Sequence, residues 1–368
     1  MSFNFWEELR SSGKPILALA PMAGFTDSAF RRICKKYGAD VLYSEMASVT
    51  ALYYGARNIS LNRGGIKRIA QEKQAIGLAD STILKLPKTD NAILGVLRTD
   101  NAIIKSLKVD NATLELLKFE RRQEKYYVVQ LFGSDPEHFA LATRIITEKI
   151  KPDGIDINFG CPVPKVCRQG AGAALMKDLK NSRAVIEAVL ANTDLPVSVK
   201  IRAKAGEVDA LKFLKNISDL PIAALMIHGR TLAQGFVGAP DFKIIKKARR
   251  CFMGVILANG GINNLAEARA ALQESGADGL GLARGVLGRP WLFKEIKDNR
   301  ERSFALKQIF KIMLQHATLV DRHKGEPGII ELRKHLAWYA KGLPGAARLR
   351  EKLVRVGSLA ELRRVLGS

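Results

Sequence analysis

Cysteine is scarce in this sequence: four in 368 residues, at positions 34, 161, 167 and 251, with no CxxC pair among them. That spacing excludes a disulfide framework and argues against structural zinc, so no metal is expected. No apolar run approaches the roughly 18 residues that cross a membrane. The opening, MSFNFWEELRSSGKP, lacks a basic start followed by an apolar core. Both absences point to a cytoplasmic protein without a membrane partner. Acidic residues are short as well: 36 Asp and Glu against 59 Lys and Arg, a formal net charge of +23. An excess of that size concerns partners rather than fold, and its physical counterpart is a polyanion such as RNA or DNA, or an anionic membrane surface. The signatures GxxxxGK[ST] and HExxH are missing, and GAGAAL (170–175) lacks the third glycine of a dinucleotide fingerprint.

What is present is a regular series of short apolar runs, each followed by a stretch of helical spacing. The runs are Leu17–Met22, Val41–Met46, Val128–Phe132, Ile155–Asn158, Val197–Ile201, Ala224–His228, Val255–Asn259 and Gly279–Ala283. Helical stretches include Asp27–Tyr37, Asp135–Ile150, Ser182–Ala191 and Leu265–Ser275, with caps expected at Asp27, Asp135 and Asn181–Ser182. Nearly continuous apolar strands alternating with helices specify a parallel sheet covered on both faces. The expected fold class is α/β: a (β/α)8 TIM barrel over residues 1–298, then a small C-terminal helical domain over 299–368. An open doubly wound sheet is the alternative, because periodicity does not prove closure.

Met22, Glu45, Gln130, Asn158, Lys200, His228, Asn259 and Arg284 fall at or just past the C-terminal ends of these runs. That end is where barrels of this kind carry their chemistry. After runs seven and eight come ANGGI (258–262) and LARGVLGRP (282–290), whose glycines and Arg284 suit a phosphate group. A phosphate held there leaves Gln130, Asn158 and Lys200 to meet a flat polar ring, an outline that flavin mononucleotide (FMN) fits. Cys161 lies between Gly160 and Pro162 on the same rim, where a thiol can donate a proton.

The segments APMAGFTDSAFRRI, VVQLFGSDP, DINFGCPVPKVCRQGAGAALM, VSVKIR, IHGRTLAQGFVG, ANGGI and LARGVLGRPWLF resemble the tRNA-dihydrouridine synthases, and the ending ELRKHLAWYAKGLPGAARLREKL is similar to their bacterial B-type subgroup. The resemblance implies an FMN-dependent, NADPH- (or NADH-) consuming enzyme that reduces the C5=C6 bond of a tRNA D-loop uridine. Within it, Cys161 matches the proton donor, and Pro21, Met22 and Ala23 match the segment touching the flavin ring. Gln130, Lys200 and His228 match flavin-contacting positions, with Asn158, also expected at the cofactor, in the same motif. Asn259, Gly260, Gly261, Ala283 and Arg284 match the phosphate loops. Ala283 stands where a Gly is usual and Gly261 where an Asp is common, which puts cofactor affinity in question. Cys167 occupies a place where no thiol is required.

An insert of four ten-residue repeats, ADSTILKLPK, TDNAILGVLR, TDNAIIKSLK and VDNATLELLK, occupies 79–118. It reads as a tolerated duplication. The last 70 residues hold 15 Lys and Arg against 6 Asp and Glu, and beside Trp338 and Tyr339 they read as a clamp on a phosphate backbone. A monomer is expected. Two alternatives remain: an FMN barrel reducing a small pyrimidine, and an RNA-binding descendant without catalysis.

Overall fold

The computed structural model describes residues 4–61 and 112–367, so the repeat insert lies outside the described residues except for 112–118. Eight parallel strands close into a barrel: β1 (Ile16–Leu19), β2 (Val41–Ser48), β3 (Tyr127–Phe132), β4 (Gly154–Asn158), β5 (Val197–Arg202), β8 (Ala224–His228), β9 (Val255–Asn259) and β10 (Gly279–Leu282). Pairing runs in sequence order, and β10 returns to β1 with Leu17 opposite Leu280. Closure decides against the open sheet. A short antiparallel ribbon, β6 (Lys204–Ala205) and β7 (Val208–Asp209), stands apart from the barrel.

Helix α1 (Phe5–Ser11) plugs one end of the barrel, burying Phe5 and Trp6 with Ala18, Tyr43, Val128 and Leu257. Around the outside run α2 (Ser28–Lys36), α3 (Val49–Leu61), α4 (Ala112–Leu116), α5 (Pro136–Lys149), α6 (Pro164–Cys167), α7 (Leu179–Leu190), α8 (Ala210–Asn216), α9 (Phe242–Ala248), α10 (Leu265–Ser275) and α11 (Leu292–Lys297). Caps set several starts. Asp27 accepts from the Phe30 amide, Asp135 from those of Glu137 and His138, and Asn264 from that of Glu267. One expectation is corrected: α7 begins at Leu179, because Asp178 accepts the Asn181 amide and takes the cap assigned to Asn181–Ser182.

The C-terminal region consists of α12 (Leu306–Tyr339), broken at Gly325, then α13 (Ala346–Leu353) and α14 (Leu359–Leu366). It shares a hydrophobic cluster with Ala29 and Ile33 of α2 and with Trp291. Tyr339, named above beside the expected phosphate-backbone clamp, is only 2% exposed, and its hydroxyl meets His316 Nδ1 at 3.3 Å. Among the described residues no helix is long and apolar enough to cross a membrane.

Candidate active site

The C-terminal ends of the strands surround a cavity of about 470 Å3. Register explains the convergence. Asn158 lies opposite Lys200, Arg202 opposite His228, and His228 opposite Asn259, so polar residues stand abreast on neighbouring strands. Of the residues singled out in the sequence, all but Glu45 line this cavity. Pro21, Met22 and Ala23 come from the turn after β1, and Gln130, Asn158, Lys200, His228 and Asn259 from five strands. Cys161 follows β4, Gly260 and Gly261 follow β9, and Ala283 and Arg284 follow β10. Glu45 does not join them: β2 continues past it to Ser48, and its carboxylate accepts the Gly24 amide instead.

A chain of hydrogen bonds fixes the floor. Gln130 Nε2 donates to Asp156 at 2.7 Å, and Asn158 Nδ2 donates to Gln130 Oε1 at 2.8 Å. Asn158 Oδ1 then accepts the backbone amides of Gly160 (3.0 Å) and Cys161 (2.9 Å). The thiol-bearing turn is thereby tied to the barrel interior. Gly172 backs the same turn with φ +61°, and a Cβ there would come within 3.0 Å of Cys161 Cβ. Cys167 serves the turn too, its thiol donating to the Cys161 carbonyl at 3.5 Å.

The electrostatics favour an anion. Burial, with Arg202 nearby, brings the Lys200 ammonium down to about 8, and its Nζ donates to Asn259 Oδ1 at 3.3 Å. Burial, with Lys200 and Arg202 adding to it, pushes His228 down to about 2, so its imidazole is neutral. Burial raises the Cys161 thiol above its ordinary value, against the Val163 amide, so it holds its proton at neutral pH. Buried Asp156 rises to about 7 for the same reason, despite hydrogen bonds from Ser198 and Gln130.

Of the two departures in the phosphate loops, Gly261 adopts φ +68°, a conformation open to glycine, and Ala283 has φ −121° and ψ −110°. Sequence reading missed Arg202, Arg230 and Phe236. Arg202 is 1% exposed and donates to the carbonyls of Gly160, Thr231 and Gly235, joining the Cys161 turn to the loop after β8. Arg284 stands 4.7 Å over the Phe236 ring. The alternation VSVKIR, which puts Lys200 and Arg202 on one strand face, was the available signal for Arg202. Among the described residues no group of His, Cys, Asp and Glu could hold a metal ion.

The family model described as Dihydrouridine synthase (Dus) matches residues 18–64 and 97–366. The unmatched segment between them overlaps the first two repeat units. A probable tRNA-dihydrouridine synthase of Rickettsia conorii is 31% identical over 91% of this chain and 87% of its own length. The tRNA-dihydrouridine synthase B of Pseudomonas syringae pv. tomato is 30% identical over 91% and 85%. The probable tRNA-dihydrouridine synthase 1 of Synechocystis sp. is 29% identical over 93% and 82%. With its closed barrel and converging mouth residues, this chain belongs to the dihydrouridine synthase family.

Proposed function

We propose that this protein is a tRNA-dihydrouridine synthase that reduces the C5=C6 bond of a D-loop uridine, with FMN as cofactor and NADPH or NADH as reductant. The observation that carries the reading is the meeting of a protonated thiol, a buried ammonium and glycine-lined cationic loops in one mouth cavity. The residues present fit FMN. Gly260 and Gly261 leave backbone open beside Arg230 and Arg284, which suits a phosphate. Gln130, Lys200 and the Pro21–Ala23 turn suit a flat polar ring. Bound there in reduced form, FMN supplies the hydride.

Cys161 delivers the proton to C5, and Asn158 holds its backbone while Arg202 braces the turn from the far side. Lys200 and neutral His228 set the charge at the ring, the cation favouring an anionic partner. The uridine must leave its stack to enter so enclosed a site. We assign the catalytic barrel to about 1–298 and tRNA contact to the helices of 299–368, in a cytoplasmic monomer. Mass spectrometry of tRNA from a strain lacking this protein, with no redundant enzyme present, tests the assignment. Loss of one dihydrouridine is expected, and an unchanged level would sink it. The visible spectrum of the purified protein checks the cofactor independently.

A further inference from the structure

A second cavity of about 750 Å3 lies on the outer flank of the barrel, between α2 and the first half of α12. Helix α2 runs away from the mouth: Asp27 caps the end that follows β1, and Lys36 ends near the start of β2. Along the groove α2 contributes Arg32, Lys35 and Lys36. The turn leading into β3 adds Arg122 and Lys125, and α12 adds Lys311 and Arg322. Among the described residues no acidic side chain lines it, and none of these cations forms an ion pair. Two carboxylates whose charge acts on Lys35 are occupied. Asp40 pairs with Lys297 and accepts the Leu17 amide, and Asp153 pairs with Arg121 and accepts the Tyr127 amide.

The walls are braced to one another. Arg32 Nε donates to Gln123 Oε1 at 2.7 Å, and Lys36 Nζ to Gln315 Oε1 at 2.9 Å. The groove is therefore a formed concavity with a fixed spacing of charge. Lys35 sits deep enough that burial brings it down to about 8, with Asp40 opposing and Lys297 and Lys125 adding to the crowding. A row of like charges on three chain segments repels itself unless a counter-charge lies along it.

We propose that this groove binds the phosphodiester backbone of a folded RNA, as a contact separate from the mouth. The lining favours RNA over an acidic protein. It holds no aromatic or methionine anchor of the kind that carries a protein interface. It offers instead point charges interleaved with the side-chain amides of Gln123 and Gln315, which suit phosphate oxygens without reading a base. The contact extends the proposed function to a second region of the same tRNA, yet it concerns binding alone and does not depend on which base is reduced.

The test is fluorescence anisotropy with a labelled, unmodified tRNA transcript over a salt series. It compares the full chain with a triple variant, Arg122→Gln, Lys311→Gln, Arg322→Gln. These three side chains are exposed and have no hydrogen-bond or ion-pair partner among the described residues. In the variant Kd should rise about tenfold or more, and the slope of log K against log salt should shrink by about 3. Flavin colour and melting temperature should hold. The gain variant Thr318→Lys should steepen the slope by about 1. An unchanged Kd and slope in both variants overturns the proposal, as does displacement by poly-glutamate of the wild type but not of the triple variant while RNA affinity stays equal. If the wild type binds the transcript through the groove yet forms no dihydrouridine, the function falls and the groove stands. If it forms dihydrouridine and the triple variant binds as tightly, the groove alone falls.

Discussion

At Gly260 the backbone adopts φ +107°, and a Cβ there would fall 2.5 Å from His228 Cδ2. Replacing that hydrogen with a methyl strains the chain and displaces a ring on the cavity wall. Gly260→Ala should cost roughly 1–3 kcal/mol and lower the FMN content of the purified protein. Calorimetry and the absorbance ratio check both, and a variant as yellow and as stable as the wild type contradicts the placement. Cys161 can be tested without disturbing the floor, since its backbone amide, not its thiol, makes the bond to Asn158. Cys161→Ala should keep the flavin and lose about 100-fold or more in turnover on tRNA, the usual scale for a lost general acid. Wild-type turnover in that variant would remove its assigned role.

Helix α2 joins the barrel to the C-terminal region, and two buried clusters show how. Arg31 and Glu124 form an ion pair with both side chains fully buried, and Glu124 also accepts from Ser28 and the Glu120 amide. Arg31 donates further to the carbonyls of Thr26 and Lys118. Removing one partner leaves a buried charge, so Glu124→Ala should cost about 3–5 kcal/mol in denaturant unfolding. A loss under 1 kcal/mol would show that the pair is replaceable. On the other side Phe30 stacks on His316, which lies 4.8 Å from His335 across the break in α12. Burial lowers His316 to about 4, with Asp27 pulling the other way. Above pH 6.5 the ring is neutral in folded and unfolded chains alike, and nothing is lost. Below it only the unfolded chain takes the proton, so stability falls down to about pH 4, by roughly 3 kcal/mol. His316→Phe should flatten the melting curve against pH across that window, and parallel curves for the two proteins would refute this.

At the scale of the molecule, the C-terminal helices cover an apolar face that the barrel does not cover by itself. Ala29, Ile33 and Trp291 pack with Ile309, Met313, Leu332 and Leu336, and each fully buried large side chain is worth about 1.5–3 kcal/mol. A chain ending at Asp298 should therefore aggregate or melt at lower temperature, measured by gel filtration and calorimetry. A monodisperse truncated barrel with an unchanged melting point would show that the helices only dock. The helices thus serve stability as well as the RNA contact proposed for them, and Tyr339 belongs to the first role.

The strands, most caps and the polar mouth residues were readable because their signals are local: apolar runs, Asp and Asn before helices, polar residues at strand ends; Pro21, Ala23 and Ala283 were matched through the family resemblance. Glu45 misled for the same reason, since only pairing of β2 with β3 carries the strand on to Ser48. Tertiary structure alone decided closure, which depends on β1 meeting β10 across more than 260 residues of chain. It also decided the relay from Asp156 to Cys161, the bracing by Arg202 and the flank groove. Each joins residues that are close only once register and helix packing are set. The two cysteines of one loop, alike in sequence, were told apart by sequence resemblance. Their surroundings then gave Cys161 the cavity and Cys167 a supporting bond to its backbone.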